Sequence, residues 1–194
     1  FVFYEKNFDS IHSKNIYRLD EVQKFEGMVA PQNVALSMFP MAPTLKQEFP
    51  EVRNVTRVKK KKKANMRAGE IRIVLPTLYI VDSTFLQIFD FELLKGNRET
   101  ALHNPNSLLL TEESAVKLFG QDDPMGKTVI RYGGDTTTFT ITGILKNVPE
   151  NSHMQFDGLY SFSTIYEPQM MENWGGNWLI TYLELVPNAD AAVM

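Results

Sequence analysis

The residues with the clearest potential for chemistry are a run of five lysines flanked by Arg57 and Arg67, namely Lys59, Lys60, Lys61, Lys62 and Lys63. Adjacent like charges cannot share a packed face, so this run must be solvated. Two interpretations remain open: a mobile hairpin tip, or a surface for an anionic partner such as a phosphate or lipid headgroup. No aromatic residues alternate with the lysines and the chain is net acidic, so we favour the hairpin tip and expect no nucleic-acid partner.

A second candidate surface is aromatic. Trp174 and Trp178 flank a Gly-Gly-Asn turn, and Tyr182 follows. Aromatic side chains beside a flexible turn can line a site for a small molecule or peptide. They can also cover the open end of a sheet, which is the commoner arrangement. Together with the five lysines, these three residues form the candidate ligand or partner surface.

The stretch from Gly120 to Thr128 superficially resembles a phosphate-binding loop. Such a loop has four residues between its glycines, leaves a strand and opens a helix. Here five residues separate Gly120 from Gly126, and the predicted order is helix then strand. Asp122 and Asp123 would also repel a phosphate. The sequence therefore predicts a helix end followed by a type I turn at Asp123–Gly126.

No other pattern indicates catalysis or metal binding. The chain has no cysteine, and His12, His103 and His153 lack the short spacing of a metal site. There is no Gly-x-Ser-x-Gly motif to anchor a serine triad. We therefore predict no catalytic residue, no metal and no cofactor in this chain, and expect that it is not an enzyme.

The best-defined local elements lie between Ser107 and Pro149. A short apolar strand, Ser107–Leu110, precedes Thr111, which is typical of a helix N-cap, and Gly120 is a natural helix stop. Two strands follow, Thr128–Tyr132 and Thr137–Leu145, joined through a Gly-Gly-Asp turn. These elements predict a compact strand-helix-hairpin unit.

The rest of the chain mixes helical and extended patterns, which predicts an α+β fold. Phe1, Tyr4, Phe8 and Ile11 have helical spacing. We further predict a short helix over Thr84–Phe89 capped by Ser83, and a helical stretch near Leu159–Tyr166. The remaining predicted strands are Ile16–Lys24, Val52–Val58, Ile71–Leu75, Leu78–Asp82 and Trp178–Val186.

Bulk properties place the chain among globular domains. It has 194 residues, of which 43% are hydrophobic, with a formal net charge of -3. No apolar run approaches the roughly 20 residues needed to span a bilayer. The chain opens at Phe1 without a starting methionine, and we expect it to be a portion of a longer protein.

Several stretches read in order resemble one family, the MacB-like periplasmic core domain of FtsX-type ABC-transporter permeases, in the version common in Bacteroidetes. They cover nearly the whole chain and comprise Tyr4–His12, Ile16–Leu19, Phe49–Val52, Val81–Phe91, Leu93–Asn97, Pro105–Glu112, Lys117–Gly120, Asp123–Thr128, Thr140–Ile144 and Pro149–His153.

The resemblance implies a discontinuous porter-like α/β subdomain, residues 1–106 plus 150–194, interrupted by a smaller inserted subdomain, residues 107–149. It also implies a place between two transmembrane helices of an inner-membrane permease, on the periplasmic side. The domain would be non-catalytic and would couple cytoplasmic ATP hydrolysis to movement outside the membrane, in mechanotransmission, export or lipoprotein release. ATP would be bound by a separate cytoplasmic ATPase.

The partners that the resemblance implies are the protein's own transmembrane helices, the ABC ATPase, a second permease copy and an outer or periplasmic protein. Two departures stand out: the lysine run matches no family pattern, and relatives continue with another helix and strand after the equivalent of Asp190. The alternative is a free-standing periplasmic ligand- or lipid-binding protein.

Overall fold

A computed structural model describes residue 9, residues 11–24 and residues 30–189. Its main feature is a nine-stranded mixed sheet, accompanied by a two-stranded sheet and three short α-helices in the described part of the chain. The strands are β1 (Ile16–Arg18), β2 (Glu21–Gln23), β3 (Gln32–Val34), β4 (Val52–Ala68), β5 (Ile71–Val81), β6 (Leu93–Gly96), β7 (Ser107–Thr111), β8 (Thr128–Tyr132), β9 (Thr137–Leu145), β10 (Gly158–Ser161) and β11 (Ile180–Leu185). The helices are α1 (Met41–Glu48), α2 (Phe85–Ile88) and α3 (Glu112–Phe119), with 3₁₀ turns at Phe162–Thr164 and Pro168–Glu172. The predicted α+β class is confirmed.

Six of the nine strands form a closed ring. In order around it, β4 pairs with β5, β5 with β10, β10 with β7, β7 with β9, β9 with β8, and β8 with the far end of β4. The β5–β10 and β7–β9 pairs are parallel and the other four are antiparallel. Outside the ring, β11 pairs with the first half of β4, and β1 pairs with β11. Closure leaves few free sheet edges.

Two hydrophobic clusters stabilise this sheet from opposite faces. The first takes buried side chains from all six ring strands, so it fills the inside of the ring, and Ala115 and Leu118 of α3 pack against it. The second lies on the other face, where α2 packs on β5, β7 and β10. On β10, Leu159 belongs to the outer cluster and Tyr160 to the inner one, as the alternation of strand side chains requires.

The region Ser107–Leu145 folds as its local signals predict. Thr111 is the N-cap of α3, accepting a hydrogen bond from the backbone N–H of Ser114, and Gly120 ends the helix with a φ of 61°. The hairpin β8–β9 turns through Gly133 and Gly134, both at positive φ. The stretch that resembles a phosphate-binding loop leaves a helix and enters a strand.

The predicted turn is displaced by one residue. The backbone N–H of Lys127 donates to the carbonyl of Pro124 at 3.1 Å, and Gly126 has a φ of 73°. The turn therefore spans Pro124–Lys127 with its glycine in third position, as type II requires, rather than type I at Asp123–Gly126.

Three other local predictions are wrong. The stretch near Leu159–Tyr166 is not helical: β10 is a fully buried strand between two partners, and only Phe162–Thr164 makes a 3₁₀ turn. Ser83 is not the cap of α2, whose N-cap position is Thr84 without a side-chain cap. The single strand predicted over Ile16–Lys24 is two short strands, β1 and β2.

The segment 107–149 contributes β7, β8 and β9 to the same ring as β4, β5 and β10, and the inner cluster joins both parts. Its division from residues 1–106 and 150–194 stays a prediction. Most of the helix predicted from Phe1 to His12 lies outside the described residues. Within the described ranges, no helix is long and apolar enough to cross a membrane.

Candidate functional site

The structure brings polar residues from distant parts of the chain together where the amino-terminal segment joins the sheet. Asp9 donates its backbone N–H to the carbonyl of Asn151 at 2.9 Å. Its carboxylate accepts hydrogen bonds from the Ser152 hydroxyl and the His153 backbone N–H, both at 3.0 Å, and contacts Nδ1 of the His153 ring. The loop before β10 therefore holds Asp9 by main-chain and side-chain bonds together.

His153 connects Asp9 to the sheet. Its Nε2 atom lies 2.8 Å from the hydroxyl of Tyr182, a buried residue of β11. Burial raises the pKa of Tyr182, so the phenol stays protonated and donates to Nε2 when the imidazole is neutral. Nδ1 then carries the proton that faces Asp9. We name Asp9, Ser152, His153 and Tyr182 the first clamp.

The charge of Asp9 supports this arrangement. Partial burial raises the pKa of Asp9, but the hydrogen bonds from the backbone and ring of His153 and from Ser152 outweigh it, so the pKa lies below its ordinary value. Asp9 is therefore an anion at neutral pH. Its φ of 56° lies in the left-handed region, which aspartate tolerates better than most residues.

A second clamp holds the next residues of the segment and consists of His12, Ser13, Lys14 and Asp90. Lys14 Nζ lies 2.7 Å from Asp90 Oδ1, and the backbone N–H and hydroxyl of Ser13 both donate to Oδ2 at 2.9 Å. Burial raises the pKa of Asp90, but the bonds from Lys14 and Ser13 outweigh it and lower the pKa to about 2. This carboxylate is thus ionised at any physiological pH.

His12 anchors the second clamp in the outer core. Its Nδ1 accepts the backbone N–H of Asp90 at 3.0 Å, and the rings of Phe89 and Phe91 meet it edge-on with centroids 5.0 Å away. Because Nδ1 accepts, the proton of the neutral ring lies on Nε2, which is buried and has no hydrogen-bond partner among the described residues. Burial lowers the pKa of His12, although Asp9 and Asp90 counteract it.

An open cavity of about 420 Å³ lies between the two clamps. Charges of both signs line it, including the exposed pair Arg18 and Asp20 at 2.8 Å. Neither the buried Tyr182 nor the half-buried His12 offers a free nucleophile, and in the described ranges no three potential metal ligands come together. The arrangement is suited to fastening a segment.

Sequence reasoning missed both clamps because their members lie far apart in the chain. Asp9 and His153 are separated by 144 positions, and His12 and Asp90 by 78. The only sequence signal was indirect: His12 and His153 each end one of the stretches that resemble the permease family. The spacing between the two histidines did not indicate that they lie near each other.

The lysine run lies elsewhere, in the middle of β4. Lys59 pairs with Ile80 and Lys62 with Thr77 of β5, whereas the hairpin tip is at Gly69 and Glu70. The hairpin-tip interpretation is therefore wrong. Lys60, Lys61, Lys62 and Lys63 are exposed and Lys59 is partly exposed. The flanking Arg57 is turned inward and forms a bidentate pair with Asp82.

The predicted aromatic surface divides into two parts. Trp174 and Trp178 are about half exposed, at 50% and 52%, on the loop before β11. Gly176, at a φ of 86°, allows the Trp178 ring to fold over the turn, where Nε1 donates to the carbonyl of Gly175 at 3.4 Å. Tyr182 is buried and belongs to the first clamp, so it does not share a surface with the tryptophans.

The mixed sheet with few helices matches the fold of the solved periplasmic region of MacB. The chain belongs to the MacB-like periplasmic core domain family, whose sequence profile matches residues 4–194. The similarity to that family is thus confirmed over nearly the whole chain, and the protein is a periplasmic domain of the kind found in MacB-like ABC transporter permeases.

Solved structures show the same fold. A domain of a protein described as a permease from Porphyromonas gingivalis is 24% identical, with a TM-score of 0.79 over 96% of this chain and 78% of that one. The periplasmic region of MacB from Actinobacillus actinomycetemcomitans is 15% identical, with a TM-score of 0.64 over 94% and 80%. The extracellular domain of the noncanonic ABC-type transporter YknZ from Gram-positive bacteria is 19% identical, with a TM-score of 0.62 over 90% and 85%. None of the curated proteins matches this chain.

Proposed function

We propose that this domain transmits movement from the membrane helices of an ABC permease to the space outside the inner membrane, driven by ATP hydrolysis in a separate cytoplasmic ATPase. The domain itself carries out no reaction and binds no cofactor. Its partners are its own membrane helices, that ATPase, a second permease copy and an outer or periplasmic protein. Export and lipoprotein release are both activities that such a movement serves.

The observation that carries this proposal is the position of the two ends of the described sheet. β1 and β11 pair antiparallel, and the backbone N–H of Leu185 donates to the carbonyl of Asn15 at 3.1 Å. The chain therefore enters β1 and leaves β11 side by side. Two connections that leave a fold at the same place can both lead to neighbouring membrane helices.

The clamps supply the mechanical connection. Force applied to the amino-terminal segment reaches Asp9 and Lys14 first, because their side chains join the segment to the rest of the fold. From Asp9 the contacts lead to β11 through Tyr182, and from Lys14 to the segment after α2 through Asp90. The charge-assisted bonds of both clamps resist small displacements better than neutral bonds.

A distance measurement on the complete permease with its ATPase tests the proposal. The chain contains no cysteine, so Val116→Cys on the exposed face of α3 gives one spin-label site in this domain, and cysteines elsewhere in the permease and the ATPase are first replaced by serine. We expect the distance distribution between two copies to differ between nucleotide-free and ATP-bound states. An unchanged distribution would contradict coupling.

The role of the clamps is tested in the same permease. Lys14→Met should reduce the ATP-dependent shift while ATP turnover persists, since the segment then moves without the sheet. The matched control is Lys95→Met, which removes an exposed ion pair to Asp123 of nearly equal length, 2.8 Å. Equal effects of the two variants would show that the clamps do not transmit the movement. They would leave open whether the domain is coupled to ATP hydrolysis by another route.

A further inference from the structure

The lysine run coincides with a gap in the sheet. On the edge of β4 that faces away from β5, β11 pairs with residues from Val52 to Val58, and β8 pairs with Asn65–Arg67. Between these two partners, Lys59–Ala64 has no strand beside it in the described part of the chain. We call this stretch the open β4 edge. Its four regular residues, Lys59–Lys62, correspond to about 13 Å of strand, enough to pair with part of one short extended peptide.

On the side of β4 that faces away from β5, the backbone of the open β4 edge has no hydrogen-bond partner among the described residues. No hydrogen bond joins the outward-facing amides and carbonyls of Lys59–Ala64 to another described residue. Lys59–Lys62 continues the regular pairing of β4 with β5, whereas Lys63 has a φ of 54°, in the left-handed region. The geometry that a ladder requires is therefore present over Lys59–Lys62 and is interrupted before Ala64. Such a row of free donors and acceptors is a template for an added strand.

The charge at this edge specifies its partner. The five lysines have no ion-pair partner among the described residues. The side chains of Lys59–Lys62 alternate across the two faces of the strand, and the positive φ of Lys63 interrupts this alternation. Four of the five are exposed. A second copy of the same edge would bring lysines against lysines, which opposes self-pairing. An acidic strand meets the opposite charge on both faces.

Both ends of the open β4 edge offer further contacts to an added strand. At the β8 end, Arg131 and Lys63 line a polar depression of about 100 Å³ with Gly133, Gly134 and one acidic residue, Asp135. At the β11 end, the exposed Trp178 stands two residues before Ile180, the partner of Val58. The depression is too small for a drug-sized ligand but suits a carboxylate at the end of a strand.

We propose that the open β4 edge binds an extended acidic peptide segment of a partner protein by strand addition, between β11 and β8. Backbone hydrogen bonds to Lys59–Lys62 supply the pairing, and the lysines select a segment rich in aspartate or glutamate. The inserted strand bridges the only interruption between β11 and β8 in the described sheet. This inference does not depend on the coupling function, because it concerns a surface remote in sequence from both clamps.

The test uses this chain and a fluorescein-labelled eight-residue peptide of alternating glutamate and valine, with binding followed by anisotropy. The control peptide has the same sequence with every backbone amide N-methylated, which keeps the charge and the side chains but removes the N–H groups needed for pairing. We expect binding of the first peptide and at least about tenfold weaker binding of the second, the equivalent of one or two lost backbone bonds. Equal binding of both would overturn strand addition, as would no binding of either.

Variants of the chain locate the site. Lys61→Glu and Lys62→Glu should each weaken binding of the unmethylated peptide several-fold, whereas Lys24→Glu, an equal charge change at another exposed position, should not. Circular dichroism checks that each variant is folded, and Lys62→Gln provides a milder change. Protection of the outward-facing amides of Lys59–Lys62 from hydrogen exchange on binding is expected. If Lys24→Glu weakens binding as much as Lys61→Glu and Lys62→Glu do, the peptide does not bind at the open β4 edge and the proposal is contradicted.

Discussion

Asp9 and His153, 144 positions apart in the chain, form the contact that joins the amino-terminal segment to the loop before β10. The same imidazole reaches the Tyr182 hydroxyl, so one side chain connects three separate segments. Under the proposed coupling function, the residues that fix the entry point of the chain also contribute to the stability of the fold. Four measurable consequences follow from the two clamps and from the closed ring of strands.

Asp90→Asn should weaken the domain at neutral pH but much less under acid conditions. The pKa of Asp90 is lowered from 3.8 to about 2, so its carboxylate stabilises the fold above about pH 4 and loses that effect as the pH falls towards 2. After allowance for its partial exposure, we expect a loss of about 1–2 kcal/mol in the free energy of unfolding at pH 7. Urea denaturation of both proteins at pH 7 and pH 2 measures it. Asp123→Asn, at an exposed ion pair, serves as the control and should change little.

His12 should make the domain less stable as the pH falls below its ordinary pKa of 6.5. Burial lowers its pKa in the folded state, so the unfolded chain binds the proton first and acid favours unfolding. Protonation would also place a hydrogen on Nδ1, which now accepts from the Asp90 backbone. The variant His12→Gln should show a flatter stability profile between pH 7 and pH 5 in thermal denaturation. Identical slopes in the two proteins would contradict the assigned protonation state.

Tyr182→Phe should cost about 1 kcal/mol, or somewhat more, in the free energy of unfolding. The change keeps the ring, which packs edge-on against Phe89 at 5.1 Å, but leaves Nε2 of His153 without the hydroxyl. Chemical denaturation at pH 7 gives the difference. Tyr17→Phe, at an exposed tyrosine of β1, is the matched control and should be near neutral. A neutral Tyr182→Phe would mean that the first clamp adds no stability.

Gly158→Ala should be the most disruptive of these changes. A Cβ atom on Gly158 would lie 2.6 Å from the carbonyl oxygen of Leu109 in the neighbouring strand, where backbone on both sides prevents relief. We expect a loss of about 2–3 kcal/mol. Gly175→Ala provides the comparison, since the nearest atom there is 3.5 Å away. Comparable melting temperatures for the two variants would show that β10 is less tightly enclosed than described.

Helices and strands whose ends are fixed by caps and turns were predicted well from the sequence. Thr111, Gly120 and the Gly133-Gly134 turn placed α3, β8 and β9 almost to the residue, because a cap, a stop and a turn act within a few positions. The stretch around Leu159 was misassigned for the opposite reason. A short apolar run suits a buried strand or a helix equally, and only β5 and β7 on either side decide it.

Long-range features could not be predicted in this way. The lysine run was assigned to a hairpin tip, since charge repulsion indicates solvent but not position along a strand. That it lies mid-strand follows from the length of β4, which depends on β5, β8 and β11 together. The two clamps depend on the whole fold, and family resemblance supplied the only information about how distant segments are arranged.

The closed ring has a consequence for how this chain acquires its structure. Its pairs join residues as distant as Arg67 and Ile130, or Leu78 and Gly158, so no ring can form from the first half of the chain alone. Such non-local pairing slows folding. Until β10 has emerged, the interior side chains of β4 and β5 lack the neighbours that cover them. The nascent domain therefore leaves apolar strand faces exposed to solvent for longer than a protein built from sequential hairpins would.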